Sequence, residues 1–404
     1  MASVLASTTT PEAGQTAVRE TMRGLPRYVQ LPLTYLTGKP LYGQTGPRMT
    51  PTAHLGAAVF TLCSGLTMSA IAVTATGSWA WWLLLIPGWA SVLHGQRNLR
   101  LMIFHQCAHR NMWGKPRWDR VVGRLVAGLL LIQSFERYQA EHVADHHARH
   151  HMTVRDPTVQ AILLTLELRP GMTRRRMWAT VLGKVASPLF HARFFVARLR
   201  SYFHSASVLD RILTPAFHIG VIAVGVLTET WLVVVLGWWL PLVLFFQISN
   251  TFRLCVKHTF PDPSIVDRKG RAYFGGLTNA IFLGEAAPSA DLPVPRRALR
   301  WLRWGLRMAF VHFPSRYLVL TGDTVCHDFH HRYPMARNWA DYIFARQRDL
   351  EAGQHGWPDY VEVWGLKSAI DFVFDSLRAA DPVEYDAQRI AQVSQREMFA
   401  AFDD

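Results

Sequence analysis

Cysteine is scarce and unpaired in this sequence. The chain contains four, Cys63, Cys107, Cys255 and Cys326, and no two form a CxxC pair. A zinc knuckle, an iron–sulfur cluster and a disulfide scaffold are therefore not expected. Three of the four lie within three residues of a histidine of interest, where they read as small residues filling crowded helices, and free thiols fit a reducing compartment. Charge is also sparse. Only 18 % of the 404 residues are Asp, Glu, Lys or Arg, while 50 % are hydrophobic, against roughly 25 % charged in soluble domains. Acidic residues are the rarer sign: 29, against 43 Lys and Arg, for a formal charge of +14. No RNA- or DNA-binding motif accompanies that excess, so nucleic acid is not an expected partner. Anionic inner-leaflet lipid accounts for it better. Rossmann glycines and a haem-binding cytochrome b5 segment are both absent. No basic stretch followed by an apolar run opens the chain, so no cleaved signal peptide is expected, and residues 1–15 are expected to be disordered.

What the sequence does have is long apolar runs. Leu55 to Thr76 is uncharged and of spanning length. After Gly77-Ser78, Trp79 to Leu93 follows and should continue as helix to a histidine pair just beyond the bilayer surface. Thr214 to Leu227 and Trp231 to Phe246 make a second pair around Thr228-Glu229-Thr230. Val121 to Phe135 carries Arg124 and reads as a half-buried or interfacial helix. Neither connecting turn contains Lys or Arg, whereas the flanking segments are Arg-rich. The positive-inside rule then places both termini and the middle segment in the cytoplasm. The expected fold is all-α and membrane-integral, with four transmembrane helices in two hairpins.

Histidines fall into three groups in the cytoplasmic segments: His105 and His109; His142, His146 and His147; His327, His330 and His331. Residues four apart on a helix share a face, so each group can turn two rings toward one ion. Imidazole is the usual nitrogen ligand of iron, copper and zinc. Eight such ligands exceed what one tetrahedral zinc uses and suffice for two metals. Iron is favoured because it activates dioxygen, and an unactivated C–H bond in a lipid chain yields only to metal–oxygen chemistry.

The order of a hairpin, HQCAH, a short apolar stretch, EHVADHH, a second hairpin and HDFHHRYP resembles the membrane fatty acid desaturase superfamily, from about Leu55 to Arg346. The resemblance implies four spanning helices under a cytosolic helical cap that carries the metal site. It also implies two non-haem irons on the eight boxed histidines and O2 as co-substrate. His258, in CVKHTFPD after the fourth span, matches the place of a further ligand, with Asn250 a weaker substitute. The second box has two parses. Asp156-Pro157 stands eight residues after His147, which favours His142, His146 and His147 over His147, His150 and His151. His150, His151, Asp156 and Asp328 are then candidates for orienting the ligand rings or for the surface.

The expected activity is desaturation of an acyl chain on a lipid or a carrier. The alternative is a hydroxylase or ketolase of a lipid, terpenoid or specialised metabolite. A zinc hydrolase or a metal transporter is a distant rival, since transporter ligands belong inside the spans. Electrons should come from a separate protein such as an acidic ferredoxin with its reductase, docking on the cationic surface. Residues 1–53 form an N-terminal cytosolic segment, 54–346 the desaturase-like domain and 347–404 a C-terminal helical extension. The expected location is a bacterial inner membrane, with the termini and metal site cytoplasmic. Arg296, Arg300, Arg303 and Arg307 share one face of an expected interfacial helix, with Leu299, Leu302, Leu306 and Phe310 near the other and Trp301 and Trp304 at the borders.

Overall fold

The computed structural model describes residues 18–143, 150–265, 267–291 and 293–393. His146 and His147 lie outside the described residues, as does the N-terminal stretch expected to be disordered. Helix dominates. Among the described residues strand is confined to β1 (Ala280–Phe282) and β2 (Glu362–Trp364), which pair in parallel, Ala280 opposite Glu362.

Among the described residues, three helices are long and apolar enough to cross a membrane: Pro51–Thr74, Val208–Leu227 and Trp231–Leu254. The first starts at Thr50, whose side chain accepts from Ala53 N–H. Pro51 follows at a position where its missing N–H leaves no bond unmade. Against it packs a helical track in pieces: a 3₁₀ turn Trp79–Leu84, an α-helix Leu85–Asn98, a wide π stretch Leu99–Phe104 and the turn His105–Ala108. The expected second span thus does run on to the first histidine pair, though not as one regular helix. Small residues let the two backbones touch. A Cβ on Gly65 would lie 2.5 Å from Val92 N, and one on Gly95 would lie 2.8 Å from Leu62 N.

The apolar stretch after the first box is the amphipathic helix Pro116–Leu130. Val126, Ala127 and Leu130 are buried, while Trp118, Val121 and Leu125 are exposed. A continuous helical run from Val294 to Val319 ends against the spans: His94 stacks on Tyr317 at 3.9 Å, its Nδ1 lies 2.7 Å from Tyr317 O, and Ser249 donates to Leu318 O. The helix Leu366–Ala379 packs its Ala369, Ile370, Val373, Phe374 and Leu377 face inward. One apolar core runs without a break from Leu62 and Val92 at the first hairpin to Phe374 and Tyr385 near the end of the described chain.

Candidate metal centre

His105 stands where the π stretch ends. Its Nδ1 lies 3.2 Å from Leu101 O, so that nitrogen carries the proton and Nε2 presents a lone pair inward. That one atom faces three others: His330 Nε2 at 2.9 Å, His142 Nε2 at 3.0 Å and His109 Nε2 at 3.1 Å. A single lone pair cannot satisfy three rings by hydrogen bonding. A cation resolves the conflict. Two nitrogens at right angles on one ion, each about 2.1 Å from it, stand ~3.0 Å apart, which is the spacing found here.

A second group lies beside it. His327 Nε2 is 3.3 Å from His258 Nε2 and 3.1 Å from His331 Nε2. The ligand atoms within each group fall inside 4.8 Å of one another, and all seven residues are buried. The third box serves both groups: the six-residue helix His327–Arg332 sends His330 to one side and His327 and His331 to the other. The rings of His330 and His331 are only 5.9 Å apart. Burial first, then the neighbouring His330 and His109, push His105 well below the ordinary imidazole value. The ring is held neutral, as a metal ligand must be.

The other residues singled out in the sequence fall as follows. His258 joins the second group, in an isolated bridge to Thr278. Asn250 instead accepts from Arg97 Nη1 at 2.7 Å. His150 is half-buried. His151 is not a surface residue: its ring stands edge-on to His258 at 4.8 Å, lies 5.0 Å from His331 and stacks on Phe274. Asp156 accepts from Met152 N–H at 2.7 Å and Thr158 N–H at 2.8 Å, which fixes the turn carrying His151. Asp328 is bound by Arg346 rather than by a ring: Arg346 Nε and Nη2 donate to Oδ2 at 3.0 and 2.9 Å. Burial raises the thiols of Cys107, Cys255 and Cys326, that of Cys255 to about 12. They are protonated fillers beside the site.

Sequence reasoning missed the residues that support the rings and the third box. Tyr138 stacks on His142, 4.8 Å between ring centres and 11° between planes, and Arg100 sits 4.3 Å above Tyr138. Glu362 joins Arg346 at 3.1 Å and also pairs with Lys39. Only the position of Arg346, just past the third box, hinted at any of this.

Comparison with known proteins agrees with this geometry. The chain is 26 % identical over 190 residues to the dihydrorhizobitoxine desaturase of Bradyrhizobium elkanii, an alignment covering 45 % of this chain and 53 % of that protein. It thus spans about half the length of the relative it matches. The family model described as fatty acid desaturase matches residues 78–358, from the start of the broken second helix to beyond the third box. With histidines of all three boxes meeting in two buried nitrogen clusters, and with apolar helices suited to a membrane, the chain belongs to the fatty acid desaturase family.

Proposed function

We propose that the chain is an O2-dependent di-iron desaturase of an acyl chain, fed with electrons by a separate ferredoxin-like donor. The observation that carries this reading is the pair of adjacent clusters built from nitrogen alone. One iron is assigned to His105, His109, His142 and His330, and the other to His258, His327 and His331, with His146 and His147 added from the box spacing. Bound iron would activate O2, the oxidant that an unactivated C–H bond requires.

The residues of this chain then have separate tasks. Leu101 O fixes the tautomer of His105. Arg346 and Asp328 hold the third-box helix. Burial of every ring in the two clusters excludes bulk water from the reacting centre. We assign the entry of an apolar chain to a cavity near the first box. A cavity of about 610 Å³ opens between the helix Arg27–Thr37, the first long helix and the segment around Phe313. Leu33, Leu36, Ala58 and Phe313 line it. Asn98 and Gly322 at its edge flank Met102, one turn before His105, and Met102 Sδ accepts from Asp323 N–H at 3.0 Å.

The four-span topology, with both termini and the clusters on the cytoplasmic side of a bacterial inner membrane, belongs to the same reading. The arginine-free turns and the histidine placement support it.

The test is the full-length protein expressed with a ferredoxin and its reductase. Close to two irons per chain and an O2-dependent double bond in the lipid extract are expected. The relative's name specifies a compound, dihydrorhizobitoxine, so the small-molecule extract is screened as well. One zinc and no iron, or a hydroxylated product alone, overturns the proposal. His142→Ala and His258→Ala, which strike different clusters, should each abolish turnover while retaining about one iron.

A further inference from the structure

Among the described α-helices of nine or more residues, Val294–Arg307 alone has no buried residue. Its sequence, VPRRALRWLRWGLR, holds five arginines and no acid. It presents three faces. Trp304 turns toward the protein, its indole N–H donating to Glu285 O at 2.9 Å. Arg296, Arg300, Arg303 and Arg307 share a second face by their four, three, four spacing. Leu299, Leu302 and Leu306 occupy a third, exposed by 67, 60 and 48 %, with Phe310 one turn on at 74 %.

Among the described residues, only Arg307 of that cationic face meets a carboxylate, that of Glu285. Arg300, Arg303, Arg307 and Trp304 close a cleft of about 440 Å³ against the loop 285–289. An acidic soluble partner would satisfy the arginines and leave the leucines in water. A bilayer interior would take the leucines and reject the guanidinium groups. The boundary between headgroups and acyl chains takes both. The course of the helix agrees: it runs on to Leu318 and Tyr317, which bond Ser249 and His94 near the ends of two apolar helices.

We propose that this helix is an in-plane membrane anchor whose cleft holds the phosphate of an anionic phospholipid, such as phosphatidylglycerol. Arg300 and Arg303 donate to the phosphate oxygens, the planar fork of a guanidinium matching that group in a bidentate manner. Arg307 is already neutralised by Glu285 and closes the cleft. Leu299, Leu302 and Leu306 enter the acyl layer beside the same lipid. The site is separate from the histidine clusters and independent of the metal they take.

The experiment is native mass spectrometry of the full-length protein released from micelles containing phosphatidylglycerol and phosphatidylcholine in equal amounts. The wild type should retain phosphatidylglycerol in preference. Arg300→Gln with Arg303→Gln should raise the phosphatidylglycerol concentration for half-occupancy by about 25-fold, roughly five-fold per arginine near an anionic surface. Leu302→Ser with Leu306→Ser should weaken retention too. Arg175→Gln with Arg176→Gln, exposed on another helix, should change nothing. Equal retention of the two lipids overturns the proposal, as does an unchanged preference in R300Q/R303Q. If that variant instead raises the ferredoxin concentration for half-maximal turnover with lipid retention intact, the face is a protein-docking surface and the lipid assignment fails.

Discussion

Asp328 sits inside the third histidine box, fully buried, with its charge answered by a residue eighteen positions away. Arg346 spans Asp328 and Glu362, and Lys39 adds a second cation to Glu362. Burial alone would raise the Glu362 carboxyl, but Arg346 and Lys39 outweigh it and hold it below the ordinary carboxylate value. Its stabilising contribution is therefore present above the unfolded value near 4.5 and is lost as pH falls through the lower folded value. Arg346→Met reverses the situation for Asp328 by leaving a buried carboxylate unpaired. The expected cost is about 3–5 kcal/mol, with loss of bound iron as the third-box helix shifts. The deficit should be smaller at about pH 4 than at about pH 7.5, because below 4.5 Glu362 begins to take up a proton and the stabilisation that Arg346 gives it is lost. Thermal midpoints at the two pH values check this, and a deficit that is the same at both would count against it. The histidines themselves were legible, since four-residue spacing is local. His258 was legible only through its place after the fourth apolar run. The partnership of Lys39 with Glu362 was not, because residues 323 positions apart leave no local pattern.

At the scale of elements, the first hairpin depends on two glycines whose neighbours are backbone atoms. A methyl group on Gly65 meets Val92 N at 2.5 Å and Gly88 O at 2.7 Å, and neither can rotate away. Gly65→Ala and Gly95→Ala should each lower stability by about 1–3 kcal/mol and reduce iron content, since the second helix carries His105. Gly183→Ala, inside the helix Arg174–Ala186 with open space around it, should be neutral or stabilising by about 0.4–1 kcal/mol. Melting curves of the three variants in one detergent decide the matter, and a Gly65→Ala midpoint at or above that of the wild type would refute the packing argument. Apolar run length located the long helices. It did not reveal that the second would arrive as 3₁₀, α and π pieces, because Trp79–Leu84 and Leu99–Phe104 are as apolar as regular helix. The π stretch widens the turn that leads into His105, the kind of irregularity that gathers at functional sites. The arginine helix was read with its tryptophans at the borders; Trp304 turns inward because the Glu285 carbonyl receives its N–H.

At the scale of the molecule, composition alone pointed to a membrane, and among the described residues three helices meet the length and apolarity of a span. Sidedness is the sharper expectation. Reporter fusions at Gly77 and Thr228 should signal from the side opposite to fusions at the C-terminus. A fusion after Phe135 should agree with the C-terminus, since a crossing at Pro116–Leu130 would divide the first box from the second. A periplasmic signal there would defeat a shared site. The family match ends at residue 358, short of Glu362. Yet β2, the Glu362 counter-charge and the Tyr385 hydroxyl that donates to Met152 O at 2.7 Å, beside His151, all come later. A ribosome that has already delivered every boxed histidine has therefore not yet delivered the parts that fix them. Synthesis runs in one direction, so the pocket closes only when the last strand arrives. Iron is then expected to enter only once β2 and Tyr385 have been made, and a gene trimmed to the family boundary should yield protein that inserts but stays metal-free.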